Sequence, residues 1–134
     1  MRTTDTIKML DTYKFIRRKR TSAYKAAPSE DIKSRILFIG AGYAFAALME
    51  SAFAKFAANG ENDTTLSIIL FDEYFSDEPI SSEDAAKKYG MKMYDYTAKK
   101  AQAVKSYGII LDECIDELAY SLYKRSVLEA EEGM

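Results

Sequence analysis

The chain has no histidine and a single cysteine, Cys114, among its 134 residues. Histidine is the commonest general base near neutral pH and the commonest metal ligand. Its absence excludes Ser-His-Asp and Cys-His catalysis and every metal motif that contains histidine. One cysteine allows neither an internal disulfide nor a cysteine zinc site. Long apolar runs are missing too. The longest uncharged one, Ile36 to Met49, has 14 residues, and a membrane-spanning helix needs about 20. The opening "MRTTDTIKMLDTYKFIRRKR" has no apolar core between its charges and no small-residue cleavage site, so it does not read as a secretory signal. These absences point to a soluble, cytoplasmic protein.

What is present suits one globular domain with a real core: 48% of the residues are hydrophobic and 30% are charged. The net charge of −2 implies neither nucleic acid nor membrane binding by itself, but the charge is unevenly spread. Residues 1–25 hold eight Lys/Arg against two Asp/Glu, and residues 61–84 hold eight Asp/Glu and no Lys/Arg. Blocks of opposite sign can pair within one molecule or between copies.

Hydrophobic spacing predicts an all-α, single-domain bundle of four to five helices spanning 1–134. A basic first helix, about 5–26, is capped by Thr4 or Asp5 and has Met9, Tyr13, Ile16 and Ala23 on one face. It ends near Ala27, because the residue before Pro28 resists helical geometry. Ser29, Glu30 and Asp31 form a start signal, and Asn59-Gly60 is a stop. Between them lies one long helix, 30–58, apolar on nearly all sides, which such a pattern places in the middle of the bundle. The acidic region 61–84 contains "LSIILF", residues 66–71, which fits a short helix capped by Asp63 or a buried strand equally well. Asp77 to Ser82 reads as an acidic loop around Pro79. The remainder, 83–128, is helical, with a weak point at Gly90 and either a break or continuity at Tyr107-Gly108. Residues 129–134 form an acidic tail expected to fray.

The stretch "RILFIGAG", Arg35 to Gly42, also resembles the opening of Rossmann-type domains. That resemblance implies an α/β fold with a small parallel sheet and a nucleotide enzyme using Gly40, Gly42 and Asp72. The chain departs from the pattern at Phe45, where the family has a small residue so that helix and sheet can approach closely. In the helical reading, Gly40 and Gly42 with Ala41, Ala44, Ala46 and Ala47 make a thin surface for helix packing. That reading is the one we follow.

Four further features carry chemistry. Glu113-x-x-Asp116 and Glu129-x-x-Glu132 resemble the carboxylate pairs of all-α NTP pyrophosphohydrolases, in reversed order, which implies an Mg²⁺-dependent nucleotide hydrolase. The plain alternative is a solvated helix face. Arg17, Arg18, Lys19 and Arg20, flanked by Tyr13, Phe15 and Tyr24, form a basic surface that could bind nucleic acid, holding phosphates while the aromatics stack on bases, or could pair with the acidic block, which the overall acidity favours. Tyr94, Tyr107, Tyr120 and Tyr123 suit an interface, since tyrosine is half apolar and half wet. Cys114 falls on the apolar stripe Leu111, Ile115, Leu118 and Leu122, where it reads as a small hydrophobe. The expectation is a non-enzymatic interaction or regulatory protein acting as a homodimer, with no cofactor, no metal and no membrane. Small chains of this kind are often inhibitors or accessory proteins of phage and mobile elements.

Overall fold

The computed structural model describes the backbone of residues 1–25, 32–59 and 64–133, and side-chain surroundings over 1–18, 42–59 and 64–133. Among these residues five α-helices follow one another: α1 (Thr3–Lys25), α2 (Ile32–Ala58), α3 (Thr64–Leu70), α4 (Ser82–Lys88) and α5 (Met93–Glu132). Among the described residues there is no strand. The all-α bundle is therefore the fold. Residues 36–39 lie inside α2, so the strand and glycine turn required by the dinucleotide reading are not formed. The expected signals at Ala27, Pro28, Ser29 and Gly60 fall outside the described residues.

The ambiguous segment is helical. α3 runs into a single π turn, Phe71–Phe75, closed by the Ser76 N–H donating to the Phe71 carbonyl at 2.7 Å. Widening the helix there buries four consecutive residues, Asp72, Glu73, Tyr74 and Phe75. A regular α-helix on a surface would bury at most about two neighbours in a row before turning outward. Phe75 sits among Tyr13 (ring centroids 4.9 Å apart), Phe53 (4.3 Å, stacked) and Tyr107 (5.9 Å, edge-on). Its ring thus joins α1, α2 and α5 in one core.

α4 starts where Ser81 caps it, the Ser81 Oγ accepting from the Asp84 N–H at 3.1 Å. It stops at Gly90, whose φ of +64° is the left-handed conformation that glycine adopts without penalty. Met91 N–H donates to the Ala86 carbonyl at 2.9 Å, and Gly90 N–H to the Lys87 carbonyl at 3.1 Å. That pairing is a Schellman stop. The expected 83–128 helix therefore breaks at Gly90 and passes unbroken through Tyr107-Gly108. α5 is about 60 Å long at 1.5 Å per residue and remains helical to Glu132, through most of the tail expected to fray.

The central position belongs to α5 rather than to α2. α5 packs on α1, α2, α3 and α4. Along the described part of α2 only one face is inside: Gly42, Ala46, Met49, Ala52 and Phe56 are buried, while Tyr43, Ala47, Ser51 and Ala54 are exposed. Alanine explains the difference. It reads as apolar, yet its single methyl loses little when left in water, and it is the best helix former.

α1 and α5 approach closely at Gly108. A Cβ on Gly108 would lie 2.6 Å from Thr6 Oγ1, so only a glycine lets Thr6, itself fully buried, come this near. Gly42 plays a milder version of the role proposed for it, since a Cβ there would sit 3.1 Å from Ile16 Cγ2 on α1. The backbone of Gly40 is within α2, and its neighbours lie outside the described residues.

Candidate functional site

Two places on this bundle depart from ordinary packing: a closed polar cluster at the π turn, and the outer end of α5.

The π turn places two successive carboxylates beneath α4 and α5. Glu73 Oε1 accepts from Ser82 Oγ at 2.8 Å and from Lys100 Nζ at 2.9 Å, and its Oε2 accepts from the Tyr96 hydroxyl. Asp72 Oδ2 accepts from Lys88 Nζ at 3.2 Å and from the Tyr89 hydroxyl. The Lys100 ammonium also lies 5.4 Å from the centre of the Tyr74 ring, within cation–π range. Burial followed by the Glu73 carboxylate pushes the Tyr96 phenol well above its ordinary range. Burial works against the charge on Lys100. Glu73 and Tyr74 outweigh it, and the ammonium is held above its usual value.

Each charge in the cluster therefore meets a partner inside the fold. Among the described residues no buried side-chain nitrogen or oxygen lacks a hydrogen bond. The cluster holds α3, α4 and α5 together. Sequence reasoning assigned Asp72 a role only in the alternative of a nucleotide enzyme, and assigned Glu73 and Lys100 none. The one signal available was "FDEYF", two adjacent acids inside an apolar run, which has no place on a regular amphipathic helix.

The basic surface splits. The Arg17 guanidinium donates to the Phe75 carbonyl and to Asp77, so it closes the end of the π turn and pairs the basic block with the acidic one inside the molecule. Arg18 is exposed, and the side chains of Lys19 and Arg20 fall outside the described residues. Glu113, Asp116, Glu129 and Glu132 are all exposed along α5. Among the described residues no three acidic or thiol side chains converge as a metal ligand set.

The four tyrosines chosen for an interface also divide. Tyr107 does not belong with the others. It is fully buried, and its hydroxyl donates to the Met49 carbonyl at 2.9 Å. That bond fixes its position in the core, together with edge contact with Phe56, the ring centroids lying 5.9 Å apart. Tyr94, Tyr120 and Tyr123 are exposed, at 85%, 65% and 69%.

From Asp116 to Glu132 every residue of α5 is exposed. This outer part carries Leu118, Tyr120, Leu122, Tyr123, Val127 and Leu128, six large apolar side chains in 17 residues. At 100° per residue, Cys114, Leu118, Ser121, Arg125 and Leu128 continue the stripe that Tyr96, Ala103, Tyr107 and Leu111 bury in the core. Tyr120, Tyr123 and Val127 occupy the opposite side. Where the stripe leaves the core, a groove of about 440 Å³ opens between α2 and α5, lined on one wall by Ala44, Ala47 and Leu48 and on the other by Cys114, Leu118 and Ser121. Lys55 and Glu117 pair across its rim at 3.1 Å. No described helix is long and apolar enough to cross a membrane.

Compared with known proteins, the chain matches no family model, no curated protein and no solved structure.

Proposed function

We propose that the chain is a non-enzymatic interaction or regulatory protein of the cytoplasm, and that it binds protein partners, copies of itself included, through the outer part of α5. The observation that carries this reading is the exposure of six large apolar side chains on a helix that has left its own bundle. Single exposed apolar residues are ordinary on a protein surface. Six within 17 residues, around one helix, exceed that ordinary scatter and support a contact surface. Two exposed tyrosines at Tyr120 and Tyr123 fit the same reading, because tyrosine is enriched in interface centres. The internal pairing of Asp72, Glu73, Lys88 and Lys100 supports a scaffold role for the ionisable cluster. An accessory or inhibitor protein of a mobile element would use such a surface.

Capture from an extract of the native cell tests the reading. The intact chain and a variant with Leu122→Glu and Tyr123→Glu are immobilised side by side, and bound proteins are quantified by mass spectrometry. Both sites are exposed, so the variant keeps its fold. Proteins held by the intact chain and lost by the variant are expected. Identical capture by the two would overturn the proposal.

A further inference from the structure

We propose that the outer part of α5 pairs with the same segment of a second copy, antiparallel, about a two-fold axis beside Ser121. This rests on the interaction reading above and names the partner. Three features of the segment favour it. The first is the unfinished stripe: Cys114, Leu118, Ser121, Arg125 and Leu128 are spaced by four and three residues alternately, the spacing of a helix-pairing seam. The second is charge. Glu117 flanks the N-terminal half of that seam, Lys124 flanks its C-terminal half, and Arg125 lies on it there. A parallel pair would set Glu117 against Glu117 and Arg125 against Arg125. An antiparallel pair sets Glu117 of each copy against Lys124 and Arg125 of the other, and midway between Glu117 and Arg125 is Ser121, small enough for two helices to cross there.

The third is the groove. Antiparallel pairing about Ser121 carries Leu128 of one copy to the level of Cys114 in the other, because 121 is also midway between 114 and 128. There it meets the apolar opening between Ala44, Ala47 and Cys114. Leu128 is 52% exposed within its own chain, so burial in the groove is a gain for both copies. The existing pairs of these charges do not compete strongly. Lys55–Glu117 is a surface pair with both partners exposed, and Arg125 lies 3.8 Å from Glu129 one turn away on its own helix.

Sedimentation equilibrium of the full chain is expected to show a concentration-dependent dimer. Lys124→Glu with Arg125→Glu should raise its dissociation constant by about tenfold or more, and adding Glu117→Lys should restore pairing by reversing both signs. In a Cys114→Ala background, Ser121→Cys should form a disulfide-linked dimer on mild oxidation, whereas Glu131→Cys should not. A monomer at every attainable concentration overturns the proposal, as does cross-linking at Glu131→Cys in place of Ser121→Cys, or a charge-reversed chain as dimeric as the original. If the chain is monomeric yet the Leu122→Glu, Tyr123→Glu variant still loses captured proteins, the interaction reading stands and only the second copy falls.

Discussion

Replacing Gly108 with alanine sets two opposing effects against each other at the α1–α5 crossing. In a helix interior the change itself is favourable by about 1 kcal/mol, because alanine loses less backbone freedom on folding. The new methyl, however, would stand 2.6 Å from Thr6 Oγ1 and 3.5 Å from Thr6 Cγ2. Thr6 is fully buried, so its side chain cannot swing into solvent. Rotating it exchanges the hydroxyl for the bulkier methyl and breaks its hydrogen bond to the Arg2 carbonyl, 3.3 Å. Moving α1 away opens the core around Leu10 and Tyr13 instead. Overpacking of this kind costs roughly 1–3 kcal/mol. The net expectation is a loss of about 1 kcal/mol.

Thr6→Ala tests the cause. It removes both offending atoms and leaves the Thr6 Cβ, to which the new methyl would sit at 3.6 Å, an ordinary contact. Alone, Thr6→Ala should cost about 1 kcal/mol through the lost methyl and hydrogen bond. Combined with Gly108→Ala it should be close to the original chain, a coupling of about 2 kcal/mol between the two sites. The assay is urea unfolding followed by helical circular dichroism, comparing midpoints at constant slope. If Gly108→Ala is as stable as the original, or the two changes simply add, the close crossing does not exist.

Gly42→Ala should behave differently. Its methyl would meet Ile16 Cγ2 at 3.1 Å, Ile16 is only half-buried, and the helix gain should leave stability within about 0.5 kcal/mol of the original in the same urea experiment. Glu73→Ala strands the Lys100 ammonium below α4 and should cost about 3 kcal/mol, much of it recovered by adding Lys100→Met, since an unpaired buried charge is worse than an apolar side chain. Alkaline unfolding follows from Tyr96 and Tyr107, whose buried phenols are held above the ordinary value of 10.0. The unfolded chain sheds those protons from about pH 10 and the folded one retains them. Stability is therefore intact below about pH 10 and falls above it, by at most about 1.4 kcal/mol per pH unit for each tyrosine, with Lys100 acting in the same direction. Tyrosine absorbance at about 295 nm and the helix signal should change together, and full ionisation of all ten tyrosines with the helices intact would contradict this. Asp77→Ala should alter the urea midpoint by less than about 0.5 kcal/mol because its carboxylate is exposed, whereas Arg17→Ala should cost about 1.5 kcal/mol by taking a charged donor from the Phe75 carbonyl.

How far the sequence disclosed all this can be followed residue by residue. The helical state of 32–58 was legible because its apolar residues recur on several faces over a length no strand reaches. The face that α2 buries was not, because eight alanines between residues 41 and 58 erase the contrast between inside and outside. The π turn was hinted at only by the two adjacent acids of "FDEYF" inside an apolar run, and its form shows only once Phe75 is seen to reach the core while Glu73 reaches α5 and Asp72 reaches α4. At Tyr107-Gly108 a break and continuity were both open, since one glycine symbol serves a break or a close contact and only the neighbour, Thr6, far away in the chain, decides between them. Of the candidate site, exposure at Tyr94, Tyr120 and Tyr123 was anticipated from composition, and the burial of Tyr107 was not. All four lie on α5, and the face of the helix together with the point at which the other helices end separates Tyr107 from Tyr120 and Tyr123.

That point has an energetic meaning. A free helix of about 17 residues is marginal in water, because nucleating its first turn is costly. Joined to a core already folded, the outer part of α5 starts from an existing turn and needs only propagation, so it can persist without tertiary contacts of its own. Its stability then places no demand on which residues face outward. Lysine, glutamate and alanine would serve the helix as well as Leu118, Leu122 and Leu128, which are each about half exposed and contribute little to the body of the bundle. The exposed i,i+4 pair of Arg125 and Glu129 shows that the segment carries charges as well. Leu118 and Leu128, at seam spacing, are therefore not explained by helix formation, which is the physical ground for the partner surface proposed above.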